Sequence, residues 1–211
     1  MKKIVFIGIC FLLISCNKKE VLLPQIPETV VANIKDHSPI YMFFETNGND
    51  TLIQVNRKNS IVSTNWLFNI DKRLPLKLVI PEIQNLQAKK ENSEHKNKAA
   101  ENFYTYMDSN KKTLAFIPFT NVVFILKEPN SFKNSVYFLK SGKVKYNEQV
   151  LEISELERCL NDIKVEKETE IVIGFDKNIS FQDYIRNRFK VKKMKINNLG
   201  LSVNFKNEYI Y

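Results

Sequence analysis

Two aspartates are the carboxylates of this chain best placed for chemistry. Asp71 follows the apolar run Trp66 to Ile70, Asp176 follows Ile171 to Phe175, and each stands before a helix-like stretch. An acid at the carboxyl end of a strand can act as a catalytic acid or a metal ligand, and it can equally start a turn by accepting a backbone N–H two residues on. The turn is the favoured reading, because no second acid or histidine lies at ligand spacing near either residue. Glu166, Glu168 and Glu170 alternate with other residues beside lysines and read as a solvated loop. His37 and His95 sit in polar, loop-like surroundings, away from Cys159, which lies among Ile153, Leu156, Leu160 and Ile163 at helical spacing and reads as a buried, inert thiol. No Gly-rich phosphate loop, serine elbow or paired-histidine motif occurs, and with five glycines in the chain nucleotide cradles are scarcely available. No catalytic residue, metal or cofactor is expected on this basis.

Cys16 invites a different chemistry. Lys2 and Lys3 precede an apolar run from Ile4 to Ile14 that stops at Ser15-Cys16, which is the pattern of a secretory signal and too short to span a bilayer. Leu13-Ile14-Ser15-Cys16 resembles the bacterial lipobox, which implies lipidation of Cys16 through a thioether, cleavage after residue 15 and stable attachment to a membrane by several acyl chains. An ordinary cleaved signal and an uncleaved anchor helix are the alternatives. Asn17 lacks the aspartate that resembles an inner-membrane retention signal, so the outer membrane is favoured, with periplasmic and surface orientations both open. With Cys10 in the signal and Cys16 lipidated, Cys159 is left without a disulfide partner.

The formal net charge of +9 could suggest nucleic acid. The composition argues otherwise: 27 Lys stand against 5 Arg, beside 24 Asn, whereas bidentate phosphate and base contacts favour Arg. No nucleic-acid partner is expected, and the lysines read as a solvated surface with a secondary attraction to anionic lipid headgroups.

These residues need elements to hold them. Residues 16–37, with Pro24 and Pro27, read as the lipidated cysteine and an extended tether. Ile40 to Thr46, Asn47-Gly48-Asn49-Asp50 and Thr51 to Val55 form a hairpin pattern. Trp66 to Ile70 is strand-like, and Leu76, Val79, Ile80, Ile83 and Leu86 repeat at helical spacing, with Pro81 expected to confine or kink the helix. Residues 88–98 read as a long loop, 99–107 as a short helix, and Thr113 to Ile117 and Asn121 to Leu126 as strands. In the second half, Ser135 to Leu139 and Lys143 to Tyr146 pair around Ser141-Gly142, and Ser154 with Glu157 suits a capping box. Glu170 to Phe175 is a strand, and Ser180 with Asp183 opens a helix carrying Phe181, Tyr184, Ile185 and Phe189 on one face. Lys190 to Ile196 and Leu201 to Phe205 read as closing strands.

The fold class expected is α+β, with small mixed sheets and helices packed on one face. The domain plan is 1–15 signal, 16–37 tether, 38–128 a first α+β unit and 134–211 a second. Val136-Tyr137-Phe138 before Gly142, Ile153-Ser154-Glu155-Leu156, Ile171-Val172-Ile173 running to Asp176, and Ser180-Phe181-Gln182-Asp183 together resemble the periplasmic domain of the ExbD/TolR biopolymer-transport family over residues 134–205. That resemblance implies a fold and a role in envelope protein contacts. The family's proton-driven motor uses a membrane helix bearing an aspartate, and the signal here has no acidic residue, so the motor role is not implied.

The first half carries an echo of the second. Thr64 to Lys72 lies over Thr169 to Lys177 without gaps, with Thr, Asp and Lys coinciding, and Ile40-Tyr41-Met42-Phe43 resembles Val136-Tyr137-Phe138-Leu139. Two readings stand: a duplicated unit whose first copy has a shortened or missing central helix, and coincidence in a common strand–Asp–Lys–helix pattern. Trp66, Tyr209 and Tyr211 are candidate contact residues, Trp66 with core packing as its favoured reading, and the chain end as an edge strand open to pairing. The function expected is a lipid-anchored envelope module that contacts another envelope protein without catalysis. An envelope hydrolase using Asp71 or Asp176 and a glycan- or peptidoglycan-binding lipoprotein are the alternatives.

Overall fold

The computed structural model describes residues 19–129, 134–147, 149–164 and 167–211. Cys16, the signal, and Glu166 of the acidic cluster fall outside them.

The chain is mixed α+β: among the described residues three helices lie against two mixed six-stranded sheets. In the first sheet β2 (His37–Asn47) and β3 (Asp50–Asn56) form the expected hairpin, where Gly48 takes φ +58° at the first loop position, as a type II′ turn requires. β4 (Asn65–Ile70) runs parallel to β2, α1 (Leu76–Glu91) follows, β5 (Asn102–Asp108) returns parallel to β4, and β6 (Thr113–Pro118) pairs antiparallel beyond it. In the second sheet β8 (Ser135–Phe138), β9 (Val144–Tyr146) and β10 (Gln149–Leu151) meander, and α2 (Ile153–Asp162) crosses to β11 (Thr169–Phe175), parallel to β8. α3 (Phe181–Lys193) then crosses to β12 (Leu201–Ile210), parallel to β11. Both units therefore read hairpin, strand, helix, strand. The first has residues 57–64 where the second has α2.

Register makes the likeness specific. Ile40, Tyr41 and Met42 face Phe68, Asn69 and Ile70 across β2 and β4, and Val136, Tyr137 and Phe138 face Ile173, Gly174 and Phe175 across β8 and β11. These are the residues that the gapless sequence alignment pairs. The helices agree as well: Leu76, Val79, Ile80 and Leu86 bury the stripe that Phe181, Tyr184, Ile185 and Val191 bury in α3. One continuous core serves both units. At its centre Tyr104 stacks on Phe119 at 3.8 Å and meets Phe181 and Tyr184 edge-on at 5.3 and 6.0 Å, with Phe175 edge-on to Tyr184 at 4.9 Å.

Several local expectations are overturned. Residues 102–108 are strand β5, not helix: the strand is central and buried on both faces, so it shows no alternation. α1 runs through Pro81 to Glu91, shortening the expected loop. β7 (Val123–Ile125) leaves the first unit and pairs with β12 in the second sheet, so the boundary drawn at 128 is crossed. Residues 190–193 continue α3 instead of starting a strand. The capping box of α2 is formed by Glu152 with Glu155, two positions before the expected pair. Cys159 is only half-buried.

The expected tether is partly built into the body. Ile26 is buried, β1 (Gln25–Ile26) pairs parallel with β5, and Val31 exchanges two backbone bonds with Phe116. Gln25 and Gln182 exchange bonds of 2.9 and 3.1 Å, and Glu28 is ion-paired with Lys193, so this segment straps the first sheet to α3.

Candidate functional site

The loops that follow Asp71 and Asp176 meet where the units join. Each aspartate ends its strand by donating its N–H to the neighbouring strand, Asp71 to Met42 O at 3.0 Å and Asp176 to Phe138 O at 2.9 Å. Each then accepts the N–H two residues on, from Arg73 at 3.1 Å and Asn178 at 2.8 Å. This is the turn chemistry expected of them. The following loops cross as an antiparallel bridge, Pro75 against Ser180. Leu76 N donates to Ile179 O and Phe181 N to Leu74 O, at 3.1 and 2.8 Å; Lys77 N donates to Lys177 O and Gln182 N to Lys72 O, at 2.8 and 3.0 Å. The bonds are reciprocal about a local two-fold. They satisfy the first N–H groups of both helices, donors that have no partner within a helix, and at α1 the cap residue is a proline that offers no side-chain acceptor.

The two acids differ in surroundings. Asp71 is fully buried; its Oδ1 and Oδ2 meet Arg73 Nε and Nη2 at 2.8 Å each, and Oδ2 also accepts Leu22 N at 3.1 Å. Burial pushes the Asp71 carboxyl up, but the Arg73 guanidinium and the Arg73 and Leu22 amides outweigh it and hold it below the usual value. Asp176 is half-buried, and its Oδ1 also accepts Asn178 Nδ2 at 3.0 Å.

The aromatic candidates are structural. Trp66 is fully buried, its Nε1–H on Ile61 O at 2.7 Å, so it presents no contact surface. Tyr209 lies in β12, which runs between β11 and β7, so the chain end is not an edge strand. Tyr211 stacks on Tyr137 at 4.4 Å and its carbonyl accepts the Tyr137 hydroxyl at 2.7 Å.

Comparison with protein-family models, curated proteins and solved structures gives no match for this chain.

Two further clusters escaped sequence reasoning. Glu208 is fully buried and accepts Arg188 Nε and the Tyr184 hydroxyl, each at 2.6 Å. The Tyr104 hydroxyl is buried close enough to Glu208 and Tyr184 to interact with both electrostatically. Burial is the main reason that the Tyr104 and Tyr184 hydroxyls are pushed well above their usual range. A register jump puts Glu208 there: Val172 faces Asn204 but Ile173 faces Glu208, and Asn204 Oδ1 closes the bulge by accepting from Lys206 and Asn207 N–H. The readable signal was the alternation of Glu208 with Ile210.

Lys90 is the second. It continues the apolar stripe of α1 four residues beyond Leu86 and is 8% exposed. Its Nζ donates to Asn102 Oδ1 at 3.0 Å and to Glu101 O at 3.4 Å, and lies 4.8 Å from the Trp66 ring centre. Burial, partly offset by Glu101, lowers its pKa to about 8.

Edges complete the inventory. β3 and β6 flank the first sheet, β10 and β7 the second. Among the described residues each carries an exposed large apolar side chain: Leu52 at 44%, Leu114 at 49%, Val150 at 54% and Val123 at 51%.

Proposed function

We propose that this chain is a lipid-anchored cell-envelope protein, held through Cys16 on a membrane with the outer membrane favoured, that works by contact with another envelope protein. The observation that carries the reading is the set of apolar residues on all four flanking strands. Such strands offer main-chain groups and side-chain pockets to an added strand; β6 is already bridged by Val31 at Phe116, and β3, seven residues long, is the longest of the four. Further support comes from the two acids: both oxygens of Asp71 are engaged, by the turn, Arg73 and Leu22 N, and Oδ1 of Asp176 is engaged by its turn. This weakens the hydrolase alternative. The glycan alternative loses Trp66 to the core. The order of elements in the second unit agrees with the ExbD/TolR resemblance and is the basis for proposing an association with envelope transport machinery.

Crosslinking in intact cells followed by affinity capture should recover one reproducible envelope partner, and a Leu52→Lys change on β3 should abolish or sharply reduce its yield. Recovery of monomer alone overturns the reading. Metabolic labelling with a palmitate analogue should mark the wild type and not Cys16→Ala; labelling of both variants overturns the anchor.

A further inference from the structure

Lys90 is a buried cation without a carboxylate within ion-pair distance among the described residues. Its two hydrogen-bond acceptors are a carbonyl and an amide oxygen, both uncharged, and its remaining neighbour is the Trp66 ring. Burying a charge in this way is costly unless an anion arrives to share the site. The neighbouring acids compensate it only in part: Glu91 is engaged by Lys96, and Glu101, whose backbone carbonyl accepts from Lys90, offsets some of the cost of burial without forming an ion pair. Lys90 also lines a cavity of about 590 Å³ between the C-terminal half of α1 and residues 96–102 and 120–124. That volume lies within the range of small-molecule sites, about 300–1,000 Å³.

The lining is mixed in character. Lys90, Lys98 and Asn102 supply positive charge and hydrogen-bonding groups, Ala100, Val122 and Phe124 supply apolar side chains, and Glu91, paired with Lys96, lies on the same lining. An inorganic anion would use the charged and polar groups and leave the apolar side chains unengaged. We propose that this cavity binds a small organic carboxylate, its charge held by Lys90 and Lys98 and its apolar body seated against Ala100, Val122 and Phe124.

The site does not depend on lipidation, and of the edge strands it uses only β7, through the buried Phe124. A carboxylate that binds the ammonium more tightly than the amine raises the titration midpoint of Lys90 in proportion, about one pH unit for a tenfold preference.

The test is NMR titration of the full mature chain with isotopically labelled lysine, in benzoate, in inorganic phosphate and in chloride at matched ionic strength. Benzoate should raise the Lys90 midpoint by about one unit over chloride, and phosphate should raise it less. In Lys90→Met the chemical-shift changes that benzoate induces in the amides of Ala100, Asn102 and Phe124 should disappear. Failure of benzoate to move the wild-type midpoint overturns the site, even if Lys90→Met does not fold. A phosphate response as large as that to benzoate overturns the organic ligand, and unchanged benzoate shifts in Lys90→Met overturn the role of Lys90.

Discussion

At the end of β4 the chain turns around a buried carboxylate locked to Arg73; at the end of β11 it turns around a half-buried one that holds only its own loop. The backbone is the same in both places, down to the bond that each aspartate donates to the strand beside it. One helical position further into the core the chemistry inverts. Unit one presents Ile83 and Tyr104 where unit two presents the ion-paired Arg188 and Glu208. The difference teaches that register and main-chain bonding define this unit, while charge can move between its turn and its core. Each unit carries one buried ion-paired carboxylate, in different layers.

The largest effect should come from dismantling the pair in unit two. Glu208→Leu leaves Arg188 and the Tyr184 hydroxyl buried without an acceptor and should cost about 3–5 kcal/mol in denaturant unfolding, whereas the double change Arg188→Ile with Glu208→Tyr, which copies unit one, should recover most of that loss. If the double variant is as unstable as the single, the two units are not interchangeable in their cores.

Asp71→Asn should cost about 1.5–3 kcal/mol, the range for hydrogen bonds to charged groups, and Asp176→Asn less, about 0.5–1.5 kcal/mol. The Asp71 carboxyl lies below its usual value of 3.8 in the folded state, so its contribution is full above that pH and is lost as pH falls through the lower folded value. Unfolding measured from pH 6 down to pH 2 should therefore show the wild type converging on Asp71→Asn in acid. Parallel curves would remove the charge from the explanation.

Gly174 sharpens the comparison at the strands. A Cβ there would lie 2.8 Å from the Tyr137 ring, which is held by its stack on Tyr211. The equivalent residue in unit one is Asn69, whose neighbour Tyr41 stacks instead on Phe43 at 5.9 Å. Gly174→Ala should cost about 1–3 kcal/mol by overpacking, and Asn69→Gly much less. The smallest effect concerns the caps: Ser180→Ala removes the side-chain bond to Asp183 N and should cost about 1 kcal/mol, with α3 still held by its backbone bonds to Leu74 and Lys72.

Much of the scaffold was legible from pattern. The β2–β3 hairpin followed from Asn-Gly between apolar runs, α3 from Ser180 with Asp183, and the matching strand registers before Asp71 and Asp176 from nine residues that align without a gap. The turn role of both aspartates was legible too, because an Asx bond spans two residues and needs nothing distant. Strand β5 was not: it is buried on both faces, so its aromatic run reads equally as helix or strand until neighbours flank it. Lys90 and Glu208 were hard to read for a related reason, since a charged residue on an apolar stripe or in alternation with apolar residues signals burial only once something covers it.

The sequence by itself determined the local chemistry of this protein: the aspartate turns, the cap of α3, the hairpin, and a strand–aspartate–helix step that recurs at Asp71 and Asp176. These depend on contacts within a few residues, where side-chain type and spacing suffice. The tertiary structure alone decided that the loops after Asp71 and Asp176 cap each other's helices, that β7 joins the far sheet, and that residues 22–31 strap the units together. Each of those rests on main-chain groups that every residue carries, and a backbone N–H leaves no mark in a sequence to say which distant carbonyl it will find.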